Sequence, residues 1–221
     1  MEDIIAAIRP VSVKRTFKKG SILLYQGEAP RSVFLLLEGV VKVYSLNTAG
    51  EEQVVAFHIY GDIFPGAWVF NKASTTLYYY EALTDCDVLM LGKDQMREVL
   101  YQKPEYISAM LDYYVTNYTG LMMRVTALEQ SRASEKIMFT LYYLMFRYGK
   151  EVRKGVYVLQ LQLTQSIIAS LVGLTRETTA TELGKLRIQK IVNYNTQRYT
   201  VNKQALERAL GEDNFANIKI T

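Results

Sequence analysis

The sequence predicts an α+β chain with an N-terminal β-roll of the double-stranded β-helix kind, a long central helix and a C-terminal winged helix-turn-helix. Three observations predict it. Short apolar runs broken by turn residues fill about the first ninety positions. Apolar residues then recur in alternating steps of four and three from Ile107 to Leu128. Finally, Leu163–Leu186, LTQSIIASLVGLTRETTATELGKL, reads as two short helices around a tight turn. The domain limits drawn on this basis are 1–103, 104–132 and 133–221.

From Phe17 to about Leu91 the runs are Ser21–Tyr25, Ser32–Leu37, Val40–Leu46, Gln53–Ile59, Leu77–Ala82 and Asp87–Leu91. Turn signals separate them at Gln26-Gly27-Glu28, Glu38-Gly39, Asn47-Thr48-Ala49-Gly50 and Tyr60-Gly61-Asp62. Short strands at this spacing suit a small barrel or roll, and no helix is expected among them. Gly92-Lys93-Asp94 then opens a short helix through Leu100.

Between Pro104 and about Ser131 lies a long helix whose apolar residues are Ile107, Leu111, Tyr114, Tyr118, Leu121, Val125 and Leu128. Pro104 fits its first turn. The spacing is that of a coiled-coil seam over about three heptads, which points to a symmetric dimer joined along this helix. A helix packed only within its own domain is the other reading.

Ser134 to Tyr148 is so rich in apolar and aromatic residues that the helix it forms must be largely buried. Val156–Leu161 reads as a strand leading into the helix-turn-helix. There Thr164 is placed to cap a first helix carrying Ile167, Ile168 and Leu171; Gly173 supplies the turn, and Thr175 caps a second helix. Ala169 is small enough for close crossing. Ile191–Tyr194 and Tyr199–Val201, around Asn195-Thr196-Gln197-Arg198, read as a hairpin wing with Lys190 and Arg198 suitably charged for phosphates.

In such a motif the first residues of the second helix enter the major groove. Arg176 can donate two hydrogen bonds to guanine, and Glu177 can accept from the cytosine amino group. Thr175, Thr181 and Lys185 share this helix, and Gln165 and Thr178 are expected at the phosphates. A merely solvated helix start is the alternative for the charged pair.

Composition supports the division. The chain has 221 residues, 49% hydrophobic and 22% charged, an ordinary globular balance. Residues 1–132 hold 13 Lys+Arg against 15 Asp+Glu, a net −2, whereas 133–221 hold 13 against 7, a net +6. The basic half contains the helix-turn-helix, as phosphate binding requires. No apolar run approaches the roughly 18 residues that span a bilayer, and MEDIIAAIRP lacks the basic start of a signal peptide, so a cytoplasmic location without membrane contact is expected. One cysteine, Cys86, and one histidine, His58, cannot build an internal disulfide or an ordinary zinc site, and no metal or cofactor is expected.

The order of β-roll, long helix and winged helix resembles the Crp/Fnr family of bacterial transcription regulators along nearly the whole chain. Ser32–Phe64, SVFLLLEGVVKVYSLNTAGEEQVVAFHIYGDIF, looks like that family's strand–glycine–strand run ending in a Gly-Asp turn. Leu174–Leu186 is similar to its recognition helix, in which an Arg and a Glu at the places of Arg176 and Glu177 read bases. The resemblance implies a homodimer on duplex DNA, with RNA polymerase as a further partner.

Three departures accompany the likeness. Members that bind cyclic nucleotides carry a Gly-Glu pair and then an Arg-Ser pair, where this chain has Pro65-Gly66 and Thr76-Leu77; a hydroxyl pair on the central helix is replaced by Leu121-Met122. A buried cyclic phosphate would lack its cation, so cyclic AMP is not expected to bind, and the effector is unknown. The candidate pocket is therefore Phe64, Gly66, Thr76, Leu77, Tyr78, Leu121 and Met122, near the aromatic residues Trp68, Tyr79 and Tyr80. Second, Thr181 stands where the family often has another base-reading Arg, so the half-site should differ. Third, Thr179 and Glu182 occupy helix positions that are usually apolar; Glu182 is either rotated outward or paired with Lys185 or Arg187.

Other classes compete. A cupin-like metal enzyme would need several histidines, and no Ser-His-Asp or Cys-His set is visible. A haem sensor of the same family would use His58 or Cys86 as axial ligand, against which stand a core histidine and a structural cysteine. A protein-interaction scaffold is the remaining alternative.

Overall fold

The computed structural model describes residues 1–211, so positions 212–221 of the last domain drawn above lie outside the described residues. The chain falls into two compact units, Met1–Tyr113 and the residues from Tyr114 onward. In chain order the first unit holds α1 (Glu2–Ile8), β1 (Val13–Phe17), β2 (Ile22–Leu24), β3 (Val33–Glu38), β4 (Val41–Leu46), β5 (Glu52–His58), β6 (Ile63–Phe64), α2 (Gly66–Val69), β7 (Tyr79–Ala82), β8 (Cys86–Leu91) and α3 (Lys93–Tyr101). The long helix α4 (Pro104–Glu129) begins in this unit and ends in the second. There follow α5 (Ala133–Tyr148), β9 (Gly149–Arg153), β10 (Val156–Leu159), α6 (Gln165–Val172), α7 (Arg176–Ile188), β11 (Val192–Asn195), β12 (Arg198–Asn202) and α8 (Lys203–Leu210).

Two four-stranded antiparallel sheets, β1-β8-β3-β6 and β2-β7-β4-β5, form the β-roll. Alternating residues point between them and bury Leu24, Phe34, Leu36, Val41, Val43, Phe64, Tyr80, Ala82 and Val88 as one core. Gly39 closes the turn from β3 to β4 with φ +93; a Cβ there would stand 2.2 Å from the Asp85 carbonyl oxygen, so only glycine fits. Six expected strands are present with ends shifted by one or two residues, the run at Leu77 beginning as a strand only at Tyr79.

Three elements here were not expected. The first strand starts at Val13 and lies wholly on the exposed edge beside β8, and its sequence VKRTF has no apolar alternation to betray it. A helix also occurs inside the strand region: after Pro65 the chain makes one turn, with Val69 N–H donating to Pro65 O at 3.2 Å and Phe70 N–H to Gly66 O at 3.1 Å. One turn is too short to display helical periodicity. The N-terminal α1, not expected either, buries Ile4, Ile5 and Ile8 against α3.

In the second unit α5 is buried from Ile137 through Phe146 without interruption. It is surrounded by α6, α7, α8, β9 and β10, which accounts for its lack of a polar face. The wing sheet has the order β11-β12-β10-β9. Its fourth strand, β9, was not anticipated, because GKEVR has four exposed residues on an edge. α8 was missed as well, although Asn202 caps it by accepting from Ala205 N–H at 3.1 Å and Gly211 ends it at φ +68.

Candidate nucleic-acid interface

The two helices of the helix-turn-helix begin on threonine hydroxyls. Thr164 Oγ1 accepts from Ile167 N–H at 3.2 Å, and α6 then buries Ile168, Ala169, Leu171 and Val172. Gly173 follows at φ +67, and the Leu174 N–H returns to Ala169 O at 3.1 Å, so the turn is closed by the helix it ends. Thr175 Oγ1 accepts from Thr178 N–H at 3.1 Å and donates to Thr178 Oγ1 at 2.9 Å. Both hydroxyls are thus engaged in the cap.

Because that cap is local, the side chains of Arg176 and Glu177 are left exposed with no hydrogen-bond or ion-pair partner among the described residues. Thr179, Leu183 and Leu186 turn inward. The outward side carries Glu177, Thr181 and Lys185, with Gly184 half-buried among them and Ile188 at the end, 84% exposed. Glu182 is paired, not rotated outward: its carboxylate lies 2.6 Å from Lys185 Nζ. Gln165 is half-buried at the start of α6.

The wing is fastened to α7. The Arg187 guanidinium lies 5.2 Å from the centre of the Tyr194 ring, which stacks on Tyr199 at 5.3 Å. Leu163 N–H donates to Gln197 O at 2.9 Å, joining the wing turn to the start of α6. Lys190, at φ +58, and Arg198 are both exposed. The β9–β10 hairpin adds Lys150, Arg153 and Lys154, all exposed, with Glu151 bound to the Gly155 N–H at 2.7 Å. These cations escaped notice because the strand that carries them did.

The C-terminal half of α4 is tied to these helices. Arg124 Nη2 donates to Leu171 O at 3.4 Å, at the carbonyl end of α6 where a cation is favoured, and Arg147 Nη2 donates to Asn117 Oδ1 at 2.5 Å. Met123 and Ala127 are buried, whereas Leu111, Tyr118 and Leu121 are 63, 64 and 52% exposed. Ile107, Val125 and Leu128 are exposed too, and Tyr114 is half-buried. The apolar seam read from the sequence is therefore an open face of this chain.

The residues nominated for the pocket fall in both units, and those of the first unit differ in burial. Phe64 is fully buried in a stack of parallel rings, 5.4 Å from Phe34, 4.6 Å from His58 and 5.4 Å from Tyr80. Thr76 is buried with its hydroxyl bonded to the carbonyls of Tyr25 and Glu28. Leu77 is exposed, Gly66 and Tyr78 are half-buried, and Leu121 and Met122 lie exposed on the part of α4 in the second unit. Trp68 receives Lys93 Nζ 5.0 Å from its ring centre. A cleft of about 700 Å³ opens elsewhere, among Leu23, Leu24, Phe34 and Met90, with Glu28 and Arg31 at its edge. His58 Nδ1 is 3.1 Å from Asp62 Oδ2; Cys86 is buried, bonded to Val40 O at 3.3 Å, with its thiol pushed up by burial.

Residues 14–103 match the family described as the cyclic nucleotide-binding domain, and residues 135–209 match the Crp-like helix-turn-helix domain. The global nitrogen regulator of Nostoc sp. is 26% identical over 192 residues, 86% of each chain. The HTH-type transcriptional regulator ArcR of Staphylococcus haemolyticus is 28% identical over 208 residues, 90% of this chain and 87% of that one. The structure of FixK2 from Bradyrhizobium japonicum superposes with a TM-score of 0.73 at 20% identity, covering 90% of this chain and 96% of that chain.

One buried group of α7 is unsatisfied. Thr179 Oγ1 has no hydrogen-bond partner among the described residues and Thr179 is fully buried. Thr179→Val keeps the shape and removes the orphaned hydroxyl, so it is expected to stabilise the protein by about 1 kcal/mol, read as a rise in thermal midpoint of about 2–4 °C. A fall in midpoint would show that the hydroxyl is satisfied in solution.

Proposed function

The chain belongs to the Crp/Fnr family of DNA-binding transcription regulators, and on that premise we propose that it acts as a homodimer on a two-fold-symmetric duplex site and does not take cyclic AMP as its effector. The observation that carries the reading is the pair Arg176 and Glu177, free at the start of a helix whose amides are capped by Thr175. Arg176 donates to guanine and Glu177 accepts from cytosine. Gln165 and Thr178, with Lys190 and Arg198 of the wing, lie at phosphates, whose contacts set register without reading sequence. The half-site centres are about one helical turn, roughly 10–11 bp, apart.

The dimer is formed by a second copy seated on the open face of α4. A face with apolar residues at alternating steps of four and three along a 26-residue helix is complementary to itself, and the exposed Leu111, Tyr118, Leu121, Val125 and Leu128 need a cover. We assign residues 1–103 as the sensing domain, 104–132 as the dimerisation helix and 133–221 as the DNA-binding domain. RNA polymerase is a partner by family resemblance, and the site of action is the cytoplasm. No helix among the described residues is long and apolar enough to cross a membrane.

The argument against cyclic nucleotides is electrostatic. A cyclic phosphate in the β-roll needs a cation and donors that are not already used. Thr76 spends its hydroxyl on backbone carbonyls, and Gly66 has no side chain to offer the ribose. Lys42 is the one fully buried cation among the described residues, and it is held by Glu52 at 2.5 Å and Glu81 at 3.1 Å. Phe34, Phe64, His58 and Tyr80 fill the space between the sheets with stacked rings.

Selection of sites from random DNA should return a palindromic consensus, and Arg176→Ala should cost about 1–3 kcal/mol in affinity and relax one base pair per half-site. An asymmetric consensus, or one unchanged by the substitution, would refute base reading by this helix. Leu121→Lys buries an unpaired charge in the seam and should shift sedimentation toward monomer; a wild type already monomeric at micromolar concentration would leave the face without a second copy. Calorimetric titration with cyclic AMP should give no saturable heat, and micromolar binding would show that other residues have rebuilt the phosphate site.

A further inference from the structure

Gly184 lies in the interior of α7, and no contact among the described residues requires a glycine there. Its backbone is helical, and a Cβ built on it meets no atom within 4 Å. Glycine is the least favourable helix residue after proline, so alanine would suit the free chain better. Glycine is used where backbone must come close to something else, and no described residue comes close here.

What surrounds Gly184 indicates its chemistry. Thr181, three residues earlier on the same side, is exposed, and its hydroxyl donates to Glu177 O at 3.0 Å. The hydroxyl proton is thereby consumed within the helix, leaving the methyl as the group offered outward. Lys185, the adjacent cation, is drawn aside to Glu182. Beyond the Glu177 carboxylate, the outward side of α7 presents the Thr181 side chain and the bare backbone of Gly184, with the exposed Lys185 ammonium paired to Glu182 and Ile188 at the end of the helix.

In the major groove the feature of a base that an apolar surface recognises is the thymine C5-methyl group. Given that α7 enters the groove as proposed above, on which this inference rests, we propose that Thr181 and Gly184 together form a specificity site for thymine: the Thr181 methyl packs on a thymine methyl, and Gly184 lets the helix come near enough for it to do so. Thr181 is four residues beyond Glu177, about 6 Å along the helix. The thymine is thus about two base pairs from the position read by Glu177, at 3.4 Å per step.

Deoxyuridine removes the thymine methyl and nothing else, and Thr181→Ser assigns its partner. Starting from the consensus selected by the full-length protein, each thymine is replaced in turn and the affinity measured. One thymine per half-site should weaken binding about fourfold, the value of one buried methyl, at about two base pairs from the position whose preference Glu177→Ala relaxes. Thr181→Ser keeps the hydroxyl bond to Glu177 and should abolish that sensitivity. Gly184→Ala should raise the thermal midpoint of the free protein while weakening the selected site tenfold or more and leaving random duplex affinity unchanged. Uracil without effect at every thymine, the same sensitivity in Thr181→Ser, or undiminished site affinity in Gly184→Ala would each overturn the proposal. If Arg176→Ala still relaxes the consensus in that case, base reading by α7 stands and only the thymine site falls; if no consensus is recovered, both fall.

Discussion

The first turn of α7 has amide groups that no earlier residue of the helix can satisfy, and they must be met without using the side chains that are to leave the protein. Thr175 meets this constraint. Its hydroxyl accepts from Thr178 N–H, so Arg176 and Glu177 have no structural duty and project from a rigid helix start. Everything behind them serves the same end: Gly173 sets the turn, Ala169 accepts the returning Leu174 amide, and Leu183 and Leu186 seat the helix on the unit's core. A flexible Arg would lose rotamer entropy on binding, but a capped helix has already fixed its backbone origin.

The anchorage continues into α4. Arg124 reaches the carbonyl end of α6 and Arg147 of α5 reaches back to Asn117, so the helix bearing the open apolar face is joined by charge-assisted hydrogen bonds to the first helix of the helix-turn-helix and to the core helix beneath it. Two such units brought together along α4 would have their recognition helices set by the same contacts, which is what a symmetric site with a fixed half-site spacing demands.

The β-roll combines a shared fold with side-chain contacts of its own. Its sheet order, its Gly39 turn and its core are those of a domain that matches cyclic nucleotide-binding proteins in sequence. Its interior, however, is filled with rings, and its buried charge is neutralised internally. The cleft beside Leu23, Phe34 and Arg31 involves none of the residues nominated for an effector. A nucleotide site depends on a few charged atoms at fixed places, whereas a fold depends on the alternation of apolar side chains, and the two change independently.

What the amino-acid sequence determined by itself was carried by short-range physics, though α8 with its own local cap was not read. The threonine caps at Thr164 and Thr175, the left-handed Gly173, the strands around Gly39 and the four-three spacing of α4 are local and periodic, and they are where the residues placed them. The tertiary structure alone decided the rest. Edge strands β1 and β9 have no apolar pattern of their own and exist because a neighbour supplies their hydrogen bonds. Arg187 found Tyr194 and Phe64 found three other rings only once the chain had folded. Gly184 was invisible as a feature until the space around it could be seen to be empty. Periodicity and capping are written in residues three or four apart, but the use of a charge or the need for a gap depends on what distant chain brings beside it.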